Sequence, residues 1–320
     1  MSEQSVWAVQ YGRYGGPEVL EIGRVPRPRP SGKQVLVEVA AFSVNATDLM
    51  ARQGKMKGMN GLGFPKGTGV DFSGTVIETG PSVTNLKIGD RVWGYIGMKP
   101  PGKHAAAAQF LTIRADQIAT VPESIRLGDA AALPLVGLTA LQALRGALKV
   151  THGKRVLVVG GSGGVGSTAI QIAAALGATV DAVAGARGDI AERAGAQRVY
   201  DYQSVEPSQI EGRYDAILDT ATADLRAYRR LLNRGGRIAA LTPAALPAIL
   251  ASAFTPGPLI HLVSAKPNAD DLAWLARAVD AGSIVPIIDA TYPLQRIMDA
   301  HRETEAGPAG GKRIVITQRP

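Results

Sequence analysis

The chain has 320 residues, 46% of them hydrophobic and 19% charged, which gives material for a sizeable core and excludes a disordered chain. Its length predicts roughly two domains, and 38 glycines with 20 prolines imply many tight turns. Cysteine is absent, which excludes disulfides and thiolate-bound zinc, and the net charge of +8 is carried by scattered Lys and Arg, the mark of a basic solvated surface rather than a nucleic-acid face.

Residues 1–20 include Arg13 and Glu18 and lack the apolar stretch of a secretory signal. No apolar run approaches the roughly 20 residues that span a bilayer, so a cytoplasmic protein without membrane contact is expected. Strands are predicted over 35–39, 74–78, 91–95 and 110–113, with turn signals at 29–32, 80–82 and 87–90 between them. Such short, closely spaced strands predict an irregular barrel-like domain. The texture changes near Pro122. A helix over 129–148, interrupted by Pro134, leads into alternating elements: strands at 155–159, 179–184, 198–200, 214–219, 237–241 and 259–263, with helices at 164–176, 189–194 and 225–232. This alternation predicts a parallel sheet with helices on both faces. The tail reads as helices over 270–281 and 295–305 and a strand over 312–317, expected to return to the first domain.

Gly161-Ser162-Gly163-Gly164-Val165-Gly166 fits G-x-G-x-x-G, and its context gives it weight: a strand ends at Val159 and a helix begins near Gly164. Glycines allow the tight turn and let backbone N–H groups approach a pyrophosphate, and the helix N-terminus adds positive potential. Asp181 lies where a spacing rule would place the acid that holds the adenosine ribose. It falls mid-strand, however, and the strand end is Ala184-Gly185 with Arg187 just beyond. An uncharged strand end followed by a guanidinium suits a 2′-phosphate, so NADPH is expected.

These residues resemble the zinc-free quinone oxidoreductase (zeta-crystallin-like) branch of the medium-chain dehydrogenase/reductases. The ordered motifs are Val44-Asn45-Ala46-Thr47-Asp48, Gly69-Val70-Asp71-Phe72-Ser73-Gly74, Gly89-Asp90-Arg91-Val92, Leu133-Pro134-Leu135-Val136-Gly137-Leu138-Thr139, the glycine loop, and Gly311-Lys312. The resemblance implies an α/β protein with a doubly wound Rossmann sheet plus a GroES-like irregular β-barrel catalytic domain. The catalytic domain would comprise residues 1–125 plus 267–320, and the dinucleotide-binding domain residues 126–266. It also implies cofactor contacts at Asn45, Thr139, Gly161, Ser162, Gly163, Gly164, Val165, Gly185, Arg187, Tyr202 and Lys312, and a homodimer pairing sheet edges, with residues 259–263 as a plausible edge.

The zinc-dependent relatives place Cys where this chain has Asn45, and His-Glu where it has Val70-Asp71. Neither Asn nor Val suits a catalytic zinc. Without a Lewis acid, the natural acceptors are small conjugated carbonyl compounds, quinones and enones, in which conjugation delocalises the incoming charge. Asn45 is the candidate catalytic donor, through its amide N–H, to the developing oxyanion or to the nicotinamide ribose. Asp48 reads as a helix cap. The tyrosines that quinone reductases often carry after this motif are replaced, at Leu49-Met50 and Lys55-Met56, so no phenolic proton donor is expected in that loop. His104, in a loop, reads as solvated, and Trp93, Tyr95 and Phe254 are candidate pocket walls. The alternatives are an enoyl-thioester reductase and a non-catalytic protein that binds NADPH or nucleic acid.

Overall fold

The computed structural model describes residues 5–58, 61, 63–97, 105–221, 223–255, 257–307 and 310–317. The first half is β1 (Ser5–Tyr11), β2 (Glu21–Pro26), β3 (Gln34–Val44), α1 (Ala46–Arg52), β4 (Lys66–Gly67), β5 (Asp71–Thr79), β6 (Arg91–Tyr95), β7 (Phe110–Arg114) and β8 (Ile118–Thr120). The connecting helices α2 (Leu127–Ala130) and α3 (Pro134–Leu141) stand where one interrupted helix was expected. Pro134 opens α3 at its first turn, where a missing N–H costs nothing, and the helix relaxes into a π-turn over Gln142–Ala147.

The alternating half follows: β9 (Arg155–Val159), α4 (Gly164–Ala175), β10 (Thr179–Ala184), α5 (Gly188–Arg193), β11 (Arg198–Asp201), β12 (Tyr214–Asp219), α6 (Leu225–Arg229), β13 (Leu232–Ala240), α7 (Leu246–Ser252) and β14 (Ile260–Leu262). The tail is α8 (Ala269–Asp280), β15 (Ile288–Pro293), α9 (Ile297–Glu305) and β16 (Lys312–Ile316).

Strands β9 to β14 form a parallel six-stranded sheet in the order β11-β10-β9-β12-β13-β14. This is the doubly wound order, and its direction reverses between β9 and β12, which opens a crevice at their carboxyl ends. The other large sheet runs β15-β16-β3-β5-β6-β8, with β7 pairing β3, and a small sheet β2-β1-β4 covers it. As expected, the tail returns: β16 lies antiparallel to β3, with Val315 opposite Phe42 and Arg313 opposite Val44.

One hydrophobic cluster crosses between the halves. It joins Trp93 and Tyr95 of β6 to Leu138 of α3, Val158 of β9 and Leu275 of α8. Trp93 and Tyr95 are fully buried packing residues rather than pocket walls, and Phe254 stands out in solvent, 89% exposed. The mid-strand Asp181 also has its explanation. Its Oδ2 accepts from Arg155 Nη2 at 2.6 Å and from the Tyr214 hydroxyl at 2.8 Å, so the buried carboxylate is paired within the sheet. Among the described residues no helix is long and apolar enough to cross a membrane. His104 lies outside the described residues.

Candidate functional site

The glycine loop is built by backbone proximity. Gly160 follows β9 with φ +86°, a left-handed conformation that favours glycine. The amides of Gly160 and Gly161 both donate to Val183 O at 2.9 Å, which pins the loop to β10. Gly166, in the first turn of α4, sits on that loop: a Cβ there would lie 2.0 Å from Gly160 O. Gly163 is the N-cap of α4 and brings no capping side chain, so the first-turn amides have no partner within the helix. They form a cradle for an anion, strengthened by the helix dipole.

Two cavities open from this cradle and share Gly163 and Thr220 in their walls. The outer one, about 470 Å³, runs between the glycine loop and the end of β10, past Ala184, Gly185 and Tyr202. The inner one, about 270 Å³, runs between the start of α4 and the barrel domain, past Asn45, Val136 and Lys312. Together they flank the reversal between β9 and β12, where a dinucleotide binds in such a sheet. The cradle fits a diphosphate, and the two arms fit the two nucleoside halves of a nicotinamide dinucleotide.

The placement of the expected residues is uneven. Ser162, Gly163, Gly185 and Tyr202 line the outer cavity, and Gly163, Gly164, Val165, Asn45 and Lys312 line the inner one. Gly161 lines neither cavity: its amide donates to Val183 O, and a Cβ there would lie 2.8 Å from Ala182 Cβ and 3.2 Å from Ala191 Cβ, so the glycine permits close packing of the loop. Its neighbour Gly160, missed in the motif frame, forms the wall instead. The positive φ that its turn requires is the signal that the pair Gly160-Gly161 carried. Thr139 donates its hydroxyl back to Leu135 O at 2.7 Å, and Val136, one turn earlier, supplies the cavity wall. Tyr202 lays its ring over Gly185, where a Cβ would meet Cε1 at 2.6 Å. Arg187 projects beside Gly310, with Nε 3.4 Å from Asp189 Oδ1.

Asn45 differs most from expectation. Its Nδ2 hydrogens face Asp71 Oδ1 at 3.1 Å and Ser43 O at 3.1 Å, away from the cavity. The expected donation from its amide N–H into the cleft is therefore replaced by an inward bond, and Asn45 Oδ1 accepts from the Lys312 ammonium. Asp71, fully buried, also accepts from Ser43 N at 3.2 Å and from the Ser43 hydroxyl at 2.8 Å. Asp48 accepts from Asn45 N and from Gly69 N, both at 2.9 Å, which confirms it as a cap and ties the loop at Gly69 to α1. Burial, and then the neighbouring Asp71, pushes the Asp48 carboxyl up to about 7. Burial also raises Asp71, against the pull of Lys312. Two buried carboxylates thus lie behind the inner cavity, close to the buried Lys312 that lines it, a grouping that no local sequence pattern announces.

Residues 31–123 match the alcohol dehydrogenase GroES-like domain, and residues 194–315 match the zinc-binding dehydrogenase family. The chloroplast envelope quinone oxidoreductase homolog of Arabidopsis thaliana is 32% identical over 98% of this chain and 99% of its own length. The chloroplastic NADPH-dependent alkenal/one oxidoreductase of the same plant is 30% identical over 98% of this chain and 79% of its own. The quinone oxidoreductase structure from Coxiella burnetii superposes with a TM-score of 0.88 at 30% identity, covering 98% of this chain and all of that one.

Proposed function

The chain belongs to the quinone oxidoreductase branch of the medium-chain dehydrogenase/reductase superfamily, and from that premise we propose that it uses NADPH to reduce a small quinone or α,β-unsaturated carbonyl compound without a metal ion. The observation that carries this reading is the pair of cavities meeting at Gly163 and Thr220 on the sheet's reversal, one running to an uncharged strand end and the other to Asn45 and Lys312. Bound there, the reduced nicotinamide supplies a hydride. The protein's part is to hold it and the acceptor in one orientation and to exclude water from the inner cavity.

A zinc ion does not suit this site. Asn45 and Val70 stand at the ligand positions of the zinc-dependent relatives, and the Lys312 ammonium against Asn45 Oδ1 would repel a dication. The expected result is NADPH oxidation by chelator-treated protein with a small quinone or a small enone, followed at 340 nm, with NADH as the weaker donor. Full activity only after added zinc would overturn the metal-free reading, and tight NADPH binding without turnover of either acceptor would move it to a thioester substrate or a non-catalytic role.

A homodimer in the cytoplasm is part of the same proposal. Strand β14 ends the six-stranded sheet, and Leu250 and Phe254 beside it are 65% and 89% exposed. Large apolar side chains grouped at a sheet edge favour a second copy of that edge. The double substitution Leu250→Glu with Phe254→Glu is expected to turn a sedimenting dimer into a monomer. A wild-type monomer at micromolar concentration would remove the dimer from the proposal.

A further inference from the structure

Resting on the reading above, this inference supplies what that reading lacks, a source for the proton that completes the reduction. We propose that Lys312 is the acid: its ammonium, on the wall of the inner cavity, protonates the substrate oxygen that becomes negative as hydride arrives.

Of the described side chains lining the inner cavity, Arg313 keeps its proton at any physiological pH and is held by Asp289 at 2.9 Å. The Thr220 hydroxyl donates to Val159 O at 2.8 Å, the Thr304 hydroxyl donates to Ala300 O at 2.7 Å, and Asn45 turns its amide hydrogens inward to Ser43 and Asp71. Lys312 remains. It is buried, and it spends two N–H groups on Val44 O, at 3.2 Å, and on Asn45 Oδ1. Its third N–H has no acceptor among the described residues, and an ammonium carries three. The stem runs alongside Gly164, where a Cβ would meet Lys312 Cδ at 2.8 Å, so the side chain passes the first turn of α4 before its head group reaches Val44 O and Asn45 Oδ1.

The surrounding charges suit an acid that must both hold and release a proton. Burial lowers the Lys312 ammonium from the ordinary lysine value, which makes it a stronger acid. Asp71 from β5 and Asp48 from α1 oppose that shift and favour the charged amine. Arg313, the next residue on β16, also lines the cavity, but its charge is paired with Asp289 at 2.9 Å. In the step itself, the C–H bond at C4 of a bound dihydronicotinamide would break as a C–H bond forms at the acceptor carbon, so NADPH would be oxidised to NADP+ by two electrons, and an electron pair of the conjugated system moves to oxygen. A Lys312 N–H bond breaks as the O–H bond forms, and the neutral amine recovers a proton from water.

The test compares wild type with Lys312→Arg and Lys312→Met. Arginine preserves the charge but releases no proton. Lys312→Arg is expected to keep NADPH binding while kcat for an enone falls about 100-fold, the usual scale of a lost general acid. Because the acid must be protonated, wild-type kcat falls as pH rises through the Lys312 pKa, and this alkaline limb disappears in Lys312→Arg. A purely structural lysine would change stability and affinity and leave the limb in place. Independently of turnover, trace acetylation with acetic anhydride across pH, read at the Lys312 peptide by mass spectrometry, should show an amine titrating below an ordinary lysine. An ordinary lysine titration overturns the proposal even if neither variant folds. An active wild type with an equally active Lys312→Arg and an unchanged limb overturns this proposal alone. A wild type inactive with every acceptor overturns the functional reading as well.

Discussion

Gly166→Ala is expected to lose both stability and NADPH binding, whereas Gly163→Ala, three residues away, loses binding alone. The added methyl at position 166 would lie 2.0 Å from Gly160 O and 2.8 Å from Gly160 C, both backbone atoms that no side-chain rotation can move. The loop cannot yield, because Gly160 N and Gly161 N hold it to Val183 O. Helix α4 must therefore lift off the sheet, carrying its free amides out of the cradle. Overpacking of this kind costs about 1–3 kcal/mol, visible as a melting point lowered by several degrees. At Gly163 the nearest protein atom to a new Cβ is Gly160 O at 3.5 Å, and the backbone is extended, so the fold tolerates alanine there. That methyl would stand in the walls of both cavities and meet the cofactor. Gly146→Ala, with nothing within 4 Å, is the matched control. Equal NADPH affinity in wild type and Gly163→Ala would show that the cradle does not hold the diphosphate.

Strands whose identity is set by local pattern were legible in the sequence. Arg155–Val159, Thr179–Ala184 and Tyr214–Asp219 are β-branched or aliphatic runs closed by turn residues, and the structure keeps those bounds. Strand β13 was not legible at its start. Arg234-Gly235-Gly236 reads as a turn, yet the strand runs from Leu232 through it, with a register shift against β12 between Tyr214 and Ala216 and a left-handed Gly235 at φ +77°. A bulge and a turn use the same residues, and only the partner strand tells them apart.

For the site, the glycine loop was legible because its chemistry is contiguous in the chain. The group of Asn45, Asp71 and Lys312 was not. It exists because β16 pairs β3 with Arg313 opposite Val44, and β5 pairs the other side of β3 with Phe72 opposite Phe42. Two antiparallel registers, set by tertiary packing, thus bring an ammonium from the tail and a carboxylate from β5 onto one asparagine. Asp181 shows the same limit. Its mid-strand place argued against a ribose contact, but its actual partners Arg155 and Tyr214 lie on two other strands of the sheet.

Arg187→Ala is expected to raise the dissociation constant for NADPH by about 10- to 100-fold and to leave that for NADH nearly unchanged. A hydrogen bond to a charged group contributes about 1.5–3 kcal/mol, and about 1.4 kcal/mol is tenfold in affinity. The guanidinium is free to make such a bond. Its contact with Asp189 is long, at 3.4 Å, and Asp189 is also bonded by Arg193 at 3.1 Å, so turning Arg187 away leaves that carboxylate partnered. No acid at the end of β10 competes for a ribose hydroxyl, since the strand closes on Ala184 and Gly185. The acids on adjoining elements are engaged locally: Asp201 accepts from Gln203 N at 2.9 Å, and Asp224 caps α6 through Arg226 N at 3.0 Å. A 2′-phosphate near Tyr202 would thus have the Arg187 guanidinium within reach and no unpartnered carboxylate, whereas the NADH hydroxyl would gain nothing from Arg187. Fluorescence titration of wild type and Arg187→Ala with both dinucleotides measures the difference. Equal losses for the two would mean that Arg187 only shapes the loop before α5, and that the uncharged end of β10 does not select the phosphate.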